Sequence, residues 1–492
     1  MTLQFPFDNT YARLPEQFFA RVTPAPVRAP RLVRVNAPLA TRLGLDPEWL
    51  ASEAGVAVLA GNRVAEGSEP IATAYAGHQF GNFVPQLGDG RAILLGEVID
   101  LAGERRDIQL KGAGRTRFSR GGDGRAALGP VLREYIVSEA MGALGIPTTR
   151  ALAAVVTGEA VRREELLPGA ILTRVASSHI RVGTFQFFAS RGDVDGLRVL
   201  ADYAIARHYP DAAHAERPYQ ALLDGVIRAQ ASLIAEWMLV GFIHGVMNTD
   251  NMTITGETID YGPCAFMDAY DPQAVFSAID EYGRYAYFRQ PAIGQWNLAR
   301  LAECLLPLLA DDADAALAAA QGSLDAYASS FEQAYQGRLR QKLGLFTACA
   351  GDAELGRDLL EAMGAHHADF TLTFRGLSEA SAGDEDDGGG RRLFADPSAY
   401  DAWAARWRRR LEREPMDAAT RRNAMLAVNP AYIPRNHRVE AVIRAAVDND
   451  DFAPLHELVT VLSRPFDAQP AFAQYADPPA AHERVLRTFC GT

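Results

Sequence analysis

The sequence predicts an α+β protein in which a strand-rich part precedes a longer helical part. In residues 71–178, short apolar runs are separated by glycine-rich turns, which is typical of strands. From residue 179 onward, apolar residues recur mainly at helical spacing, through to residue 492. Residues 1–70 precede both parts as an N-terminal extension without candidate chemistry, and helices near the C-terminus form a second extension.

Length and composition are those of an ordinary globular protein. The 492 residues are 48% hydrophobic and 22% charged, enough to bury more than one core. The net charge of −12 gives no support to nucleic-acid binding, which usually needs a basic surface. No apolar run is long enough to span a membrane, and the N-terminus lacks the pattern of a signal peptide. We therefore expect a cytoplasmic protein without nucleic-acid or membrane partners.

Two predicted strands, at residues 92–99 and 107–111, each adjoin a glycine-rich stretch. The turn Gly88-Asp-Gly-Arg91 precedes the first strand. It is an ordinary hairpin connection, or a place where the backbone of Gly88 and Gly90 approaches a phosphate and Arg91 contacts a phosphate or base. Lys111 ends the second strand, and a loop dense in glycine and arginine follows it: Gly112, Gly114, Arg115, Arg117, Arg120, Gly121, Gly122, Gly124 and Arg125.

This loop predicts a polyphosphate site. Glycines let backbone N–H groups turn toward an anion, and the arginines add positive charge. A flexible surface loop is the alternative, but a local basic cluster in an acidic chain favours phosphate binding. The long amphipathic helix predicted at residues 126–144 carries Glu134. On its own Glu134 would be a solvated helix residue, but a strand lysine followed by a helix glutamate forms the pair that orients nucleotide phosphates in kinases.

Two further strands, at residues 149–156 and 169–175, complete the strand-rich part, and Ala176-Ser-Ser-His is the predicted hinge. Arg174 and Arg181 flank this hinge. Arginines in such a place pack domains together or reach triphosphate oxygens. A clear helix at residues 219–240 then leads into the central loop.

The central loop, residues 242–263, has a layout that protein kinases use to hold metal and nucleotide. His244-Gly opens it, Asp250-Asn lies in its middle and Asp260-Tyr-Gly closes it. Asn251 and Asp260, with a short hairpin predicted between them, supply the oxygen ligands that Mg²⁺ prefers. The sequence therefore predicts a protein-kinase-like two-lobed fold with N-terminal and C-terminal extensions, residues 71–178 forming the smaller lobe.

One part of the loop does not fit a kinase. The H-R-D-x-x-x-x-N pattern places the catalytic aspartate two residues after the histidine, where this chain has Val246. Asp250 binds metal, caps the loop or acts as the general base for an incoming hydroxyl. Three readings stay open: an inactive nucleotide-binding scaffold, an atypical kinase that uses Asp250, or an enzyme that transfers another part of the nucleotide.

The remaining chain is predicted to be helical, except for a polar, glycine-rich stretch at residues 378–392. This stretch has the composition of a disordered or mobile loop. Four helices are predicted after it, at residues 398–412, 417–426, 437–448 and 451–462. The four cysteines include no C-x-x-C pair, so neither a zinc site nor a disulfide framework is indicated.

The whole chain resembles the selenoprotein O (YdiU) family. The resemblance rests on Tyr75-Ala-Gly-His-Gln-Phe-Gly, Gln109-Leu-Lys-Gly-Ala-Gly-Arg-Thr, His244-Gly-Val-Met-Asn-Thr-Asp-Asn-Met, Asp260-Tyr-Gly-Pro and Pro434-Arg-Asn-His. It implies a pseudokinase that binds ATP in a flipped orientation and transfers AMP to Ser, Thr or Tyr hydroxyls of target proteins. It implies Mg²⁺, or Mn²⁺ with transfer of UMP from UTP, which is ascribed to bacterial members.

The resemblance also implies a role for each matching residue. Lys111 contacts phosphate and pairs with Glu134, Asp250 accepts the proton, and Asn251 and Asp260 hold the metal. The nucleotide is lined by Gly88, Gly90, Arg91, Asp123, Gly124, Arg174 and Arg181. Some family members carry selenocysteine near the C-terminus, where this chain has Cys490. A regulatory bridge between Cys490 and Cys264 is therefore one expectation, and two unrelated free cysteines are the other.

Overall fold

The structure is a computed structural model that describes residues 5–382 and 389–489. It is a mixed α/β protein. Its strands are β1 (Phe19–Arg21), β2 (Arg31–Val35), β3 (Ile71–Thr73), β4 (Gly77–Gln79), β5 (Asn82–Val84), β6 (Ala92–Ile99), β7 (Arg105–Lys111), β8 (Ala126–Ala127), β9 (Arg150–Arg162), β10 (Leu166–Ala176), β11 (Phe242–Ile243) and β12 (Ala265–Phe266).

Helices make up most of the chain after β10. The helices are α1 (Ala37–Arg42), α2 (Pro47–Ala51), α3 (Glu53–Leu59), α4 (Leu128–Ala143), α5 (Val182–Ala189), α6 (Val194–His208), α7 (Pro218–Val240), α8 (Gln290–Leu309), α9 (Ala313–Lys342), α10 (Asp352–His366), α11 (Phe370–Ala380), α12 (Pro397–Leu411), α13 (Ala418–Leu426), α14 (Asn436–Asn449) and α15 (Ala453–Leu462). None of these helices combines the length and the apolar character that a membrane span requires.

One antiparallel sheet carries the strand-rich part. Its strand order is β1-β3-β6-β7-β10-β9-β2, and β8 pairs with β10. In this register Gln109 of β7 lies opposite Arg174 of β10, and Lys111 lies opposite Leu172. Because side chains alternate between the two faces of a strand, Gln109, Lys111 and Arg174 point to the same face.

Each face of the sheet buries a different set of helices. Apolar side chains of α1 to α3 pack on one face, against β6, β7, β9 and β10. The other face packs against α4, whose outer side is covered in turn by α14 and α15. Both chain extensions thus pack on the strand-rich part. A third core is built around α7, α8 and α9 and lies beside the central loop.

The structure corrects three predictions. The sequence of residues 37–61 predicts a helix, a turn and a second helix, but the structure has three short helices there, because Asp46 and Ser52 each cap a new helix. The hairpin predicted between Asn251 and Asp260 is absent from these described residues. Thr253 and Thr258 make isolated bridges to Arg181 and Thr148 instead of pairing with each other.

The third correction concerns the loop predicted at residues 378–392. Ser378 is buried within α11, which continues to Ala380. A short 3-10 helix, Arg391–Leu393, overlaps the end of the same stretch. Residues 383–388 lie outside the described residues. The polar composition therefore did not reveal the end of α11, whose apolar face packs into the helical core.

Candidate active site

An open cavity of about 380 Å³ lies between the start of β6, the end of β7 and the loop that follows β11. The wall contains most of the charged residues that the sequence singled out. It is lined by Tyr75, Gln79, Phe80, Asp89, Gly90, Arg91, Ala92, Lys111, Arg120, Arg174, Arg181, Val246, Asn248, Asp250, Asn251, Asp260, Gly262, Pro263 and Ile279.

A chain of ion pairs crosses the floor of this cavity. Glu134 of α4 accepts hydrogen bonds from Lys111 Nζ and from Arg174 Nε, each at 2.5 Å. Arg174 also donates through Nη2 to Asp260 Oδ1 at 2.7 Å, and Arg181 donates to Asp260 Oδ2. The three cations and two carboxylates leave an excess of one positive charge.

Burial and neighbouring charges act in opposite directions on these groups. Burial lowers the pKa of Lys111 to about 8, although the Glu134 carboxylate favours its charged form. Burial alone would raise the pKa of Asp260, but the Arg181 and Arg174 guanidiniums hold it well below its usual value. Both carboxylates of the chain are therefore ionised at neutral pH, since the pKa of Glu134 is lowered in the same way by Arg174 and Lys111 against the effect of burial.

Asp250 lies in a single 3-10 turn, Thr249–Asn251, on the loop side of the cavity. It is 7% exposed, and burial raises the pKa of its carboxyl to about 6, against the lowering effect of Arg181. Its Oδ2 accepts from Gln79 Nε2 at 3.3 Å. Its Oδ1 is buried and has no hydrogen-bond partner among the described residues. This carboxyl has the burial and the pKa of a general base that works near neutral pH.

The donor set around the loop consists of oxygen atoms. Asn251 uses its amide Nδ2 on the Val246 carbonyl at 3.0 Å, which leaves its side-chain oxygen for another partner. Asp260 supplies a carboxylate nearby on the same wall, and the Oδ1 of Asp250 has no partner within the described ranges. No cluster of three or more His, Cys, Asp or Glu suited to a metal occurs in the described part of the chain. The set fits a hard divalent cation that takes its other ligands from phosphate and water.

Val246 occupies the cavity wall where the kinase pattern has its aspartate. The loop around it is fixed by His244, which is fully buried and bonds through Nε2 to the Ile259 carbonyl at 2.8 Å. Burial lowers the pKa of His244, so the imidazole stays neutral. His244 thus braces the loop from behind, and two carboxyls of the loop, those of Asp250 and Asp260, reach the cavity.

Eight of the predicted site residues line the cavity: Gly90, Arg91, Lys111, Arg174, Arg181, Asp250, Asn251 and Asp260. Glu134 lies one layer behind, on Lys111. Three others are not on the wall. Gly88 packs against the Phe118 ring, Asp123 bonds to Arg163 and to the Arg125 N–H, and Gly124 lies against the Gly114 carbonyl.

The arginines of the loop after Lys111 also divide into those that line the cavity and those that do not. Arg120 lines the cavity. Arg115 donates to the carbonyls of Gly121 and Gly122 and so closes its own loop. Arg125 donates to the carbonyls of Ala25 and Pro26 in the N-terminal extension. Much of the basic character of the loop therefore serves its folding.

Sequence reasoning missed several wall residues. Tyr75 stacks its ring under the Arg181 guanidinium at 4.7 Å, and Gln79 and Phe80 follow it in the glycine-rich motif. Their unusual spacing with glycine marked the motif in the sequence, but it did not indicate that these side chains line a cavity. Ile279 comes from a stretch without any distinguishing pattern.

Of the two cysteines of the expected bridge, the structure describes Cys264 only. Cys264 is completely buried, and burial raises the pKa of its thiol to about 12. Cys490 lies outside the described residues. The chain just before it passes close to Cys264, because Thr488 Oγ1 donates to the Pro263 carbonyl at 2.6 Å.

Comparison with known proteins gives a consistent result. The family model for protein adenylyltransferase SelO matches residues 1–463. The chain is 68% identical to the protein nucleotidyltransferase YdiU of Rhodopseudomonas palustris strain BisB5, over the full length of both. It is 67% identical to the protein of that name from Bradyrhizobium sp. strain BTAi1 and 66% identical to that from Methylorubrum populi, again over the full length of each chain.

Proposed function

The chain belongs to the protein adenylyltransferase SelO family of protein nucleotidyltransferases, and on that premise we propose that it moves AMP from ATP to hydroxyls of Ser, Thr or Tyr on other proteins and releases pyrophosphate. One observation carries the proposal most. The cavity has Val246 at the position of the kinase base, and the carboxyl of Asp250 faces the same space from four residues further on.

The fold that goes with this function is a protein-kinase-like fold of two lobes. The antiparallel sheet of residues 71–178, its long helix α4 and the Lys111–Glu134 pair support the smaller lobe. The helices of residues 179–492 form the larger lobe and the C-terminal extension, and residues 1–70 form the N-terminal one. A cytoplasmic location is part of the same proposal.

The cationic side of the cavity would hold the phosphates. Lys111, Arg91, Arg120, Arg174 and Arg181 surround it, and arginine forks match phosphate oxygens well. In this arrangement the β- and γ-phosphates lie among the arginines, and the pyrophosphate leaves on that side. Gly88, Asp123 and Gly124 act by shaping the loops that carry these side chains.

Asn251 and Asp260 would hold Mg²⁺ or Mn²⁺, which when bound neutralises phosphate charge during transfer. Each Asp260 oxygen accepts from one arginine in this structure, and each keeps a second lone pair that can bind the ion. The ion pairs therefore hold the Asp260 carboxylate in its ionised form at the place where it is needed.

The chemical step uses Asp250 as the general base. Its carboxylate takes the proton of the acceptor hydroxyl, the oxygen attacks the α-phosphorus, and the bond from that phosphorus to the bridging oxygen breaks. The electron pair leaves with pyrophosphate, whose charge the arginines stabilise. UMP transfer from UTP follows the same path. An atypical kinase and an inactive scaffold are the alternatives, and the family membership does not favour them.

Intact-mass spectrometry of an acceptor protein tests this function. The acceptor is incubated with the chain, ATP and Mg²⁺, and the expected product carries the mass of one AMP. The Asp250→Asn variant should give no product while still binding ATP. A phosphate adduct would support the atypical kinase, and an unmodified acceptor would support the scaffold.

The pairing of Cys490 with Cys264 is a separate proposal. The position of Thr488 beside Pro263 supports it, because the tail already lies next to the residue that precedes Cys264. The buried thiol with its raised pKa would have to become exposed before it could react. If the bridge limits activity, the Cys490→Ser variant should show full transfer activity without reductant. A variant that responds to dithiothreitol as the parent does would contradict the pairing.

A further inference from the structure

A small hairpin, formed by β4 and β5, stands apart from the main sheet and touches the central loop. Its strands pair only with each other among the described residues. The hairpin contains the motif that begins at Tyr75, to which the proposed chemistry gives no task. Three of its hydrogen bonds reach residues about 170 positions away, at Asp250 and the two residues before it.

Two backbone N–H groups of the hairpin bond to the side chains of the two residues that precede Asp250. The His78 N–H donates to Thr249 Oγ1 at 2.7 Å, and the Phe80 N–H donates to Asn248 Oδ1 at 3.0 Å. Thr249 Oγ1 donates in turn to Gln186 Oε1 at 2.6 Å. These bonds fix the hairpin against the 3-10 turn that carries the carboxyl.

Gly77 lies directly against the Asp250 side chain. A Cβ at position 77 would stand 2.6 Å from Oδ1 and 2.9 Å from the Cβ of Asp250. On the other side, a Cβ at Gly183 would stand 2.2 Å from the Ala76 carbonyl oxygen and 3.3 Å from the Cα of Asp250. Gly77 thus leaves room for the Asp250 carboxyl, while Gly183 lets the Ala76 backbone approach the turn that carries it. Gly77 needs no left-handed backbone for this purpose.

Gln79 supplies the one directional contact. Its Nε2 is the only side-chain donor to the Asp250 carboxylate within the described residues, and it bonds Oδ2. This bond sets the rotation of the carboxyl about its last torsion, which packing against Gly77 alone does not fix. The orientation of a general base matters because a misplacement of about 1 Å can cost a hundredfold in rate.

We propose that the hairpin is a positioning device for the base, with Gln79 setting the orientation of the Asp250 carboxyl and Gly77 its depth. The inference rests on the proposed function of Asp250. Gln79 acts through Asp250 and is a positioning residue, so its loss should lower kcat and leave the KM for ATP almost unchanged.

The test compares two hairpin variants with a matched control. Gln79→Met keeps the size of the side chain but has no donor, and Gly77→Ala adds one methyl group at the close contact. Both should lower kcat for AMP transfer by about tenfold to a hundredfold, with KM for ATP and ATP affinity within twofold of the parent. Asn82→Ala alters an exposed side chain of the same hairpin and should keep the parent kcat.

The outcomes separate the two levels of the proposal. If Asp250→Asn transfers AMP normally, both the base and its positioning are refuted. If Asp250→Asn is inactive while Gln79→Met and Gly77→Ala keep the parent kcat, the base stands and the positioning device is refuted. A matching loss in Asn82→Ala, or a rise in KM for ATP without a fall in kcat, also refutes it. Circular dichroism and the thermal midpoint show which variants are folded, and either hairpin variant alone suffices for the decision.

Discussion

Asp260 is the residue on which the site's charges converge. Both of its carboxylate oxygens accept from arginines, and Arg174 extends the contact to Glu134 and Lys111. A carboxylate in this setting stays ionised far below neutral pH. The same carboxylate is the only acidic metal ligand that we propose, so removing its charge should affect metal use before anything else.

The Asp260→Asn variant should lose at least about a hundredfold in AMP transfer, because the phosphates lose the ion that Asp260 helps to hold. The assay is incorporation of labelled AMP across a range of Mg²⁺ concentrations. Glu281→Gln, at an exposed acid two positions after the wall residue Ile279, is the control and should retain activity. Parent-like transfer by Asp260→Asn at low Mg²⁺ would contradict the assignment.

Glu134 holds two cations in a buried place, so its neutral analogue should destabilise the fold. In Glu134→Gln, Lys111 and Arg174 share one neutral partner, and breaking a buried ion pair costs about 3–5 kcal/mol. Urea unfolding measures the loss at pH 7. Glu164→Gln, on an exposed turn, should unfold like the parent. Equal midpoints for the two variants would show that the buried pairs contribute little.

The cavity residues that belong to a known sequence pattern could be singled out from the sequence. Those marked only by contact with a distant part of the chain could not. Lys111, Asn251 and Asp260 are marked by their place at a strand end or within a loop pattern. Gln79 reaches its partner across about 170 residues of chain, and nothing in the local pattern of either residue records that meeting. Gly88 was predicted to line the nucleotide, but it packs against the Phe118 ring and does not line the cavity.

At the scale of elements, the composition of the glycine-rich loop after Lys111 does not show which of its basic residues face the cavity. Glycine and arginine predict phosphate binding, yet Arg115 and Arg125 bond to backbone carbonyls and Arg120 alone of the loop lines the cavity. Gly124 has a φ of +67° and lies where a Cβ would stand 2.1 Å from the Gly114 carbonyl oxygen. The turn is therefore built by the glycines and closed by the arginines, which sequence alone cannot distinguish from anion binding.

The start of α14 makes the stability of the fold depend on pH. His437 is buried, and neither ring nitrogen has a hydrogen-bond partner among the described residues. Burial lowers its pKa from 6.5 to about 4; Arg438 and Arg435 act in the same direction, while Glu483 and Asp477 oppose it. Between these two pKa values the unfolded chain binds the proton and the folded one does not, so stability is lost as the pH falls from about 6.5 to 4.

A His437→Leu variant should therefore lose less stability than the parent on acidification. The measurement is the free energy of unfolding in urea at pH 7.5 and at pH 5, for parent and variant. We expect the parent's decrease to exceed the variant's by about 1–2 kcal/mol. An equal decrease in both would show that His437 takes up its proton in the folded state.

At the scale of the whole molecule, the site is a positive region in an acidic protein. The chain has a net charge of −12, while five cationic residues and three carboxylates line the cavity. Such a focus attracts an anionic nucleotide to one place on the surface. Both extensions pack around the strand-rich part that carries Lys111 and Glu134, so they support the same site.

The mixed α/β class and the long helices followed from periodicity. The packing of α14 and α15 on α4 could not be predicted from periodicity, because it joins helices about 300 residues apart. The arrangement around the central loop was predictable only in its order along the chain. Its predicted hairpin failed, since Thr253 and Thr258 pair with distant backbone.

The central claim is that the α-phosphoryl group of ATP, with its nucleoside, is the part transferred. Parallel incubations of the chain and an acceptor protein with ATP labelled at the α- or the γ-phosphate test it most directly. We expect acceptor labelling from α-labelled ATP alone, with the γ label recovered in pyrophosphate. Labelling of the acceptor from γ-labelled ATP alone would contradict the account.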